Sequence, residues 1–217
     1  MTKQDVLKKV AEVGLVPVVR AQSADDAMAV VDAIREGGVP VLEITMTVPG
    51  AIGLMEQMAR RFGKDVVLGA GTVLDPETAR ACILSGAAFV VSPALNRGTI
   101  EICRRYSVAV LPGALTPTEV LTAWEAGADV VKVFPCGALG GASYIKSLKA
   151  PLPHIAMIPT GGVSVKTAAD FIKAGSMALG VGADLVDTKA IREGNARAVT
   201  EKAREYVRLV QEARHLA

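Results

Sequence analysis

The chain has 217 residues, of which 51% are hydrophobic and 4% aromatic, and its formal net charge is +2. It carries no block of like charges, so it lacks the basic, aromatic surface that binds nucleic acid, and a nucleic-acid partner is excluded. Its apolar runs are short and interrupted by Gly, Pro or charged residues, which excludes a bilayer-spanning helix, and the length fits a single domain over residues 1–217.

Short runs rich in Val and Ile alternate with longer amphipathic segments along the whole chain. The pattern begins with a helix at roughly residues 3–13. Eight strands are then predicted, at residues 16–20, 41–45, 66–71, 89–93, 109–113, 130–134, 156–160 and 177–182. A helical segment follows each strand, and a long helix over residues 195–214 closes the chain. Ser23 before ADDAMAVVDAIREGG is typical of these segments, with a hydroxyl N-cap, acids in the first turn and glycines at the end.

Repeated strand-helix units require parallel strands with helices outside them. Eight such units in this length predict an α/β fold, a closed (β/α)8 TIM barrel with an extra N-terminal helix. A doubly wound open sheet is the alternative. However, the first strand continues as PVVRAQS, without the G-x-G-x-x-G that a dinucleotide fold places there.

Several features bear on compartment and cofactors. The amino-terminal segment has charges at helical spacing and no continuous apolar core, so we expect a cytoplasmic protein. Cys82, Cys103 and Cys136 have no metal or redox spacing, and no His or Asp has matching placement to make Cys136 a nucleophile. His154 and His215 do not fall at the carboxyl ends of strands, so we expect neither a metal nor another cofactor.

A lysine and a glutamate are predicted to share the barrel interior. Side chains alternate along a strand, so Val131 and Val133 facing the helices would turn Lys132 inward, and the run VLEIT turns Glu43 inward in the same way. A buried ion pair is the structural alternative. The functional interpretation is that desolvation lowers the pKa of Lys132, which then attacks a carbonyl and forms an imine. Glu43 would move protons, its own pKa raised by apolar surroundings.

Two glycine-rich segments predict a phosphate site. PTGGVS (159–164) and GVGADL (180–185) follow the seventh and eighth strands, where barrels of this type bind phosphate. Gly161 and Gly162 allow close approach of backbone N–H groups to an anion, and Ser164 is expected to begin a helix whose amino end favours negative charge. Either segment alone fits a simple tight turn equally well. Arg20, at the end of the first strand, is a candidate for binding a phosphate or carboxylate, or for a salt bridge at the rim.

Three further segments lie at strand ends. GAGTVL ends the third strand with small residues, and the hydroxyl of Thr72 suits a small carboxylate. VSP and LPG end the fourth and fifth strands without a charge and are expected to shape the pocket.

Seven motifs taken together are similar to one family. EITMTVPGA, GAGTVL, VSPALN, LPGALTPTE, DVVKVFP, PTGGV and GVGADL, in this order, resemble the 2-dehydro-3-deoxy-6-phosphogluconate (KDPG) aldolases, which include the bifunctional 4-hydroxy-2-oxoglutarate (KHG) aldolases. The resemblance implies a metal-free class I aldolase that cleaves the phosphorylated 2-keto-3-deoxy sugar acid to pyruvate and glyceraldehyde 3-phosphate. It also implies cleavage of KHG to pyruvate and glyoxylate, and assembly as a homotrimer.

The resemblance assigns roles to individual residues. Lys132 matches the Schiff-base lysine, and Glu43 matches the acid/base that works through a water. Thr72 matches a contact to the pyruvyl carboxylate, and Pro93 matches a pocket position. The residues that match the phosphate site are Arg20, Thr160, Gly161 and Gly162.

Two positions depart from the family pattern. Thr47 stands where some members have a carboxylate-binding arginine, so carboxylate binding would depend on backbone N–H groups, Thr72 and Thr47. In the Gly182–Ala183 turn, Ala183 stands where some members have a phosphate-binding serine and would donate only its backbone N–H. The sequence leaves open the 6-phosphogalactonate epimer or KHG as the main substrate, an isomerase or epimerase that uses Glu43 as base, and a catalytically silent barrel.

Overall fold

The computed structural model describes residues 1–215, so the predicted domain 1–217 extends by residues 216 and 217 beyond the described part. The strands are β1 (Leu15–Val19), β2 (Val41–Thr45), β3 (Val67–Gly71), β4 (Phe89–Val91), β5 (Ala109–Leu111), β6 (Gly113–Ala114), β7 (Val131–Val133), β8 (Met157–Pro159) and β9 (Leu179–Val181). The helices are α1 (Lys3–Val13), α2 (Ala24–Glu36), α3 (Ala51–Phe62), α4 (Pro76–Leu84), α5 (Arg97–Arg105), α6 (Pro117–Glu125), α7 (Ala142–Lys149), α8 (Ala168–Lys173), α9 (Thr188–Arg192) and α10 (Ala196–His215).

All strand pairings are parallel, which confirms the predicted α/β architecture. One sheet has the order β5-β4-β3-β2-β1-β9, and the other has the order β6-β7-β8. Thr160 and Gly180 form an isolated parallel bridge between the two sheets. The strands follow one another in chain order, and the first pairs with the last, unlike the reversed order of a doubly wound sheet.

The predicted strand at residues 109–113 is divided at Pro112 into β5 and β6. Proline has no N–H to donate to a ladder, so the regular pairing stops at this residue. The Pro112 carbonyl still accepts a hydrogen bond from the N–H of Lys132 at 2.9 Å. The other strands begin and end within two residues of the predicted positions, because their limits are set by the local alternation of apolar residues.

Two apolar cores lie on opposite faces of the sheets. The outer core lies between strands and helices and contains Leu42, Ile44, Val131 and Val133. The inner core contains Val16, Val41, Val67, Phe89, Val130 and Ile158, and Val6 and Val10 of α1 pack against it. The inward direction predicted for Val130 and Lys132 is therefore confirmed. Within residues 1–215, no helix has the length and apolarity needed to cross a bilayer.

Candidate active site

Lys132 is a buried lysine at the centre of β7. Its relative exposure is 4%, and its backbone pairs with Gly113 on one side and Ile158 on the other. The Nζ atom lies 5.2 Å from the centroid of the Phe134 ring, close enough for a cation–π contact when the amine is protonated. The neighbouring strands hold the amine in a fixed, largely water-free position.

Glu43 is a buried carboxyl group at the centre of β2. Its relative exposure is 2%, and its Oε1 atom has no hydrogen-bond partner. Burial raises the pKa of Glu43, and this effect exceeds the opposing charges of Lys132 and Arg20, which lower it. The predicted direction of the shift is confirmed. A raised pKa brings a carboxyl group closer to the working pH, which favours a role as proton acceptor and donor.

Lys132 and Glu43 line one small cavity, of about 10 Å³. Its other lining residues are Val16, Val91, Leu111, Ile158, Thr160 and Gly180. The two side chains are not within the 4.0 Å that defines a salt bridge, so the alternative of a contact ion pair is not what the structure shows. A volume of this size is at the lower limit for one water molecule, so the cavity suits a proton relay through a single water.

Gly71 is a functional neighbour of Glu43 that sequence reasoning missed. A Cβ atom at Gly71 would lie 1.7 Å from Oε1 and 2.5 Å from Cγ of Glu43. Only glycine therefore leaves room for the glutamate side chain on the adjacent strand. The small residues of GAGTVL were the available signal, but the pairing of β2 with β3 was needed to read it.

Thr72 and Thr47 follow the ends of β3 and β2. Thr72 has φ 57, a left-handed conformation that is strained for a β-branched residue. The Thr47 hydroxyl lies 2.7 Å from that of buried Thr45, which donates to the Val19 carbonyl at 3.0 Å. Because the hydroxyl hydrogen of Thr45 is engaged there, Thr45 accepts a hydrogen bond from the Thr47 hydroxyl. The lone pairs of Thr47 then face outward.

Pro93 lies just beyond β4, which ends at Val91 rather than at residue 93 as predicted. A Cβ atom at Gly113 would lie 2.2 Å from the Pro93 carbonyl carbon, so the backbone of Pro93 packs directly on that glycine. Pro93, Thr47 and Thr72 line neither the Lys132 cavity nor the cavity at the glycine-rich loops. They lie beyond the carboxyl ends of neighbouring strands.

The predicted phosphate residues are brought together at a cavity of about 270 Å³. Arg20, Thr160, Gly161, Gly162, Gly182 and Ala183 all line it, and Thr160 also lines the Lys132 cavity. Arg20 is exposed and makes no salt bridge among residues 1–215, so the alternative of a rim salt bridge is not seen. Gly161 and Gly162 have φ 84 and φ 79, a backbone conformation that suits glycine.

The expectation that Ser164 begins a helix is wrong. α8 begins at Ala168, after a turn in which the Ser164 N–H donates to Thr167 Oγ1 at 2.9 Å. That side-chain bond offers the backbone a turn in place of a helical start. Polarity at the glycine-rich loop therefore comes from its own backbone groups rather than from a helix beginning there.

The loop after Lys132 is joined to the glycine-rich loop after β8. The Cys136 N–H donates to the Thr160 carbonyl at 3.0 Å, and the Gly137 N–H donates to the Gly161 carbonyl at 2.9 Å. Cys136 itself is buried, and burial raises its pKa to about 11, which keeps it a thiol at neutral pH. The described part of the chain brings no three His, Cys, Asp or Glu side chains into a geometry that could hold a metal ion.

Comparisons with known proteins agree on one family. The family model described as "KDPG and KHG aldolase" matches residues 6–202. The 2-dehydro-3-deoxy-6-phosphogalactonate aldolase of Escherichia coli is 35% identical over 198 residues, covering 91% of this chain and 96% of the relative. The 2-dehydro-3-deoxy-phosphogluconate aldolase of Haemophilus influenzae is 30% identical over 210 residues, covering 97% and 99%.

A solved structure is similar over most of the chain. The KDPG aldolase of Legionella pneumophila, with pyruvate captured as a covalent carbinolamine, has a TM-score of 0.85 at 27% identity, covering 92% of this chain and 96% of that one.

Proposed function

The chain belongs to the KDPG and KHG aldolase family and is an aldolase, and we propose that it cleaves 2-dehydro-3-deoxy-6-phosphogluconate to pyruvate and D-glyceraldehyde 3-phosphate. The observation that carries the proposal is the pairing of a buried amine, Lys132, with a buried carboxyl of raised pKa, Glu43, in one small cavity. Beside it lies the cavity of the two glycine-rich loops, which suits the phosphate.

The reaction proceeds through an imine. The neutral amine of Lys132 attacks the C2 ketone, and loss of water gives a protonated imine. Glu43, acting through one water, takes the proton of the C4 hydroxyl while the C3–C4 bond breaks and its electron pair moves toward the iminium. Glyceraldehyde 3-phosphate leaves, the enamine is protonated at C3, and water hydrolyses the imine to release pyruvate and restore Lys132.

The other site residues bind the substrate. Thr72 and nearby backbone N–H groups hold the carboxylate, and Thr47 joins them when its hydroxyl turns its hydrogen from Thr45 toward the ligand. Pro93 forms part of the pocket wall. The phosphate-binding residues are Arg20, Thr160, Gly161, Gly162, Gly182 and Ala183. Arg20 brings the positive charge, and the glycines bring backbone donors.

Trapping with pyruvate and borohydride tests the chemistry. Reduction of the imine should add one pyruvate-derived group to the peptide that contains Lys132, and the Lys132→Arg variant should acquire none. Absence of an adduct on that peptide in the wild-type enzyme would exclude this function and favour the isomerase or epimerase alternative.

A second candidate substrate is the 6-phosphogalactonate epimer, because the E. coli relative with that activity in its name is 35% identical to this chain. KHG, cleaved to pyruvate and glyoxylate, is a third, since another relative carries the name KHG/KDPG aldolase. We expect the highest kcat/KM with KDPG, and a comparison of the three substrates decides the order.

We further infer that the two sheets close into one (β/α)8 barrel, with α1 as the extra N-terminal helix, within a single domain of residues 1–217. The Thr160–Gly180 bridge and the continuity of β5 with β6 at Pro112 support closure. We expect the enzyme to act in the cytoplasm.

We also propose assembly as a homotrimer. Several large apolar side chains are exposed and available for an interface, among them Leu84 at 67%, Leu74 at 57% and Trp124 at 37%. Light scattering should then give three times the 22.5 kDa chain mass.

A further inference from the structure

An acidic side chain lies in the wall of the cavity proposed for phosphate. Asp184 follows Ala183 in the turn after β9 and lines this cavity together with Arg20 and Gly162. A carboxylate repels a phosphate at short range, so its place beside an anion site is unexpected unless its charge is engaged elsewhere.

The contacts of Asp184 show where that charge is engaged. Its Oδ2 atom accepts a hydrogen bond from the Tyr206 hydroxyl at 2.5 Å and another from the Val165 N–H at 3.3 Å. Its Oδ1 atom lies 3.8 Å from Nζ of Lys202. Burial, followed by the bond to Asp184, raises the pKa of fully buried Tyr206, so the phenol remains a donor at neutral pH.

These bonds join three separate segments of the chain. Val165 lies three residues after Gly162 in the first glycine-rich loop, and Asp184 lies two residues after Gly182 in the second. Tyr206 lies in α10, which packs against both α8 and α2. Glycine-rich loops have few side chains with which to fix their own position, so an anchor on a long packed helix determines where their backbone donors lie.

Resting on the proposed function, we propose that Asp184, held by Tyr206, is a positioning residue. It fixes the spacing of the two glycine-rich loops, and the enzyme thereby binds the phosphate of its substrate more tightly. The residue acts through the loops and not on the reacting atoms.

The experiment compares a phosphorylated with an unphosphorylated ligand. We expect Asp184→Ala to raise the KM for KDPG by about tenfold, whereas kcat and the pyruvate concentration for half-maximal borohydride trapping stay within about threefold. Tyr206→Phe should shift the KM in the same direction by a smaller factor. Asp184→Asn should keep the KM for KDPG close to the wild-type value, because its amide oxygen can still accept both hydrogen bonds.

The matched control is Thr200→Val on the same helix. The Thr200 hydroxyl is buried and donates to the Ala33 carbonyl at 3.0 Å, away from the loops. This variant should lose stability without a change in the KM for KDPG. Two results would overturn the inference. One is a shift of the KM for KDPG in the Asp184 and Tyr206 variants that is equalled by the shift in the pyruvate concentration for half-maximal trapping. The other is a change in the KM for KDPG in the Thr200→Val control.

Two further measurements cover the cases in which Asp184→Ala does not fold or the wild-type enzyme does not cleave KDPG. If Asp184→Ala does not fold, Tyr206→Phe tests the inference instead. The inference then requires that the KM for KDPG rise more than the pyruvate concentration for half-maximal trapping. If the wild-type enzyme does not cleave KDPG, the proposed function fails separately, and titration with inorganic phosphate still tests Asp184. Weaker phosphate binding by the variants supports the positioning role, and unchanged binding rejects it.

Discussion

Glu43 carries a carboxyl group that burial disfavours in its charged form, so its titration should affect stability. Its pKa is raised above the ordinary value of 4.5, which means that the folded state holds this proton more tightly than the unfolded state. The stabilising contribution is complete below the ordinary pKa and is lost as the pH rises through the folded pKa. Above the ordinary pKa, the buried carboxyl group therefore contributes less to stability than it does in acid.

We predict that Glu43→Gln raises the free energy of unfolding at about pH 8, and that this advantage disappears near pH 4, where the wild-type carboxyl is also neutral. Urea unfolding of the wild type and of Glu43→Gln between about pH 4 and about pH 8 measures the difference in the free energy of unfolding and its sign. Glu205→Gln, at an exposed position, is the control and should show no such trend. A gain from Glu43→Gln that is equal at every pH would indicate a packing effect instead.

The same substitution should remove the proton relay. The amide that replaces the carboxyl group in Glu43→Gln cannot act as an acid or base at any working pH, so we expect kcat for KDPG cleavage to fall by about 100-fold or more. Steady-state kinetics with coupled detection of pyruvate measures the change. Retention of near wild-type kcat would exclude Glu43 as the acid/base. A more stable but inactive variant is the outcome that a strained active site predicts.

Gly71 should control the position of Glu43. In Gly71→Ala the new methyl group would overlap the Glu43 carboxyl, which must then move. We expect kcat to fall by about tenfold or more, since small displacements of a catalytic group are costly. Gly53→Ala in α3 is the matched control, because a Cβ there meets nothing within 4 Å and kinetics should not change. Normal kinetics in Gly71→Ala would show that Glu43 tolerates the displacement.

At the scale of elements, the end of α5 differs from the ends of its neighbours. Ser107 has φ 55 at the position after the C-cap, where α2 has Gly38 at φ 91. The N–H of each residue donates to a carbonyl three residues earlier, so the turns are equivalent. Serine in this left-handed conformation is strained, whereas glycine is not.

We predict that Ser107→Gly stabilises the protein by about 1 kcal/mol. The reverse change, Gly38→Ser, should destabilise it by a similar amount, because a Cβ there meets nothing within 4 Å and only backbone strain is added. Denaturant unfolding of both variants measures the two changes in the free energy of unfolding. Changes of the same sign in both would contradict the strain explanation.

Secondary structure was largely predictable from the sequence, and the predictions that failed did so for local reasons. Alternating apolar residues and N-caps such as Ser23 fixed most element limits, because these signals act between near neighbours. The division of a strand at Pro112 and the turn that delays α8 after Ser164 were missed. The first follows from the missing N–H of proline, and the second from a side-chain hydrogen bond that competes with the helical start.

At the scale of the whole molecule, α1 supports the inner core without lining the proposed site. Val10 of α1 is 1% exposed and packs on the inner core, but it lines neither the Lys132 cavity nor the cavity of the glycine-rich loops. We predict that Val10→Ala lowers the free energy of unfolding by about 1 to 3 kcal/mol and leaves kcat and KM unchanged. Exposed Lys8→Ala is the control and should be within about 0.5 kcal/mol of wild type. A fall in kcat in Val10→Ala, measured well below its unfolding temperature, would refute this separation.

The sequence by itself determined the strand-helix alternation, the inward direction of Lys132 and Glu43, and the placing of Arg20 and the two glycine-rich segments at one edge of the strands. These follow from the two-residue period of a strand and from the rule that the carboxyl ends of parallel strands share one edge. Only the tertiary structure decided that Gly71 makes room for Glu43, and that Asp184 joins both glycine-rich loops to Tyr206. Those relations join residues of different strands, loops and helices, so they depend on how the elements pack, which no local pattern encodes.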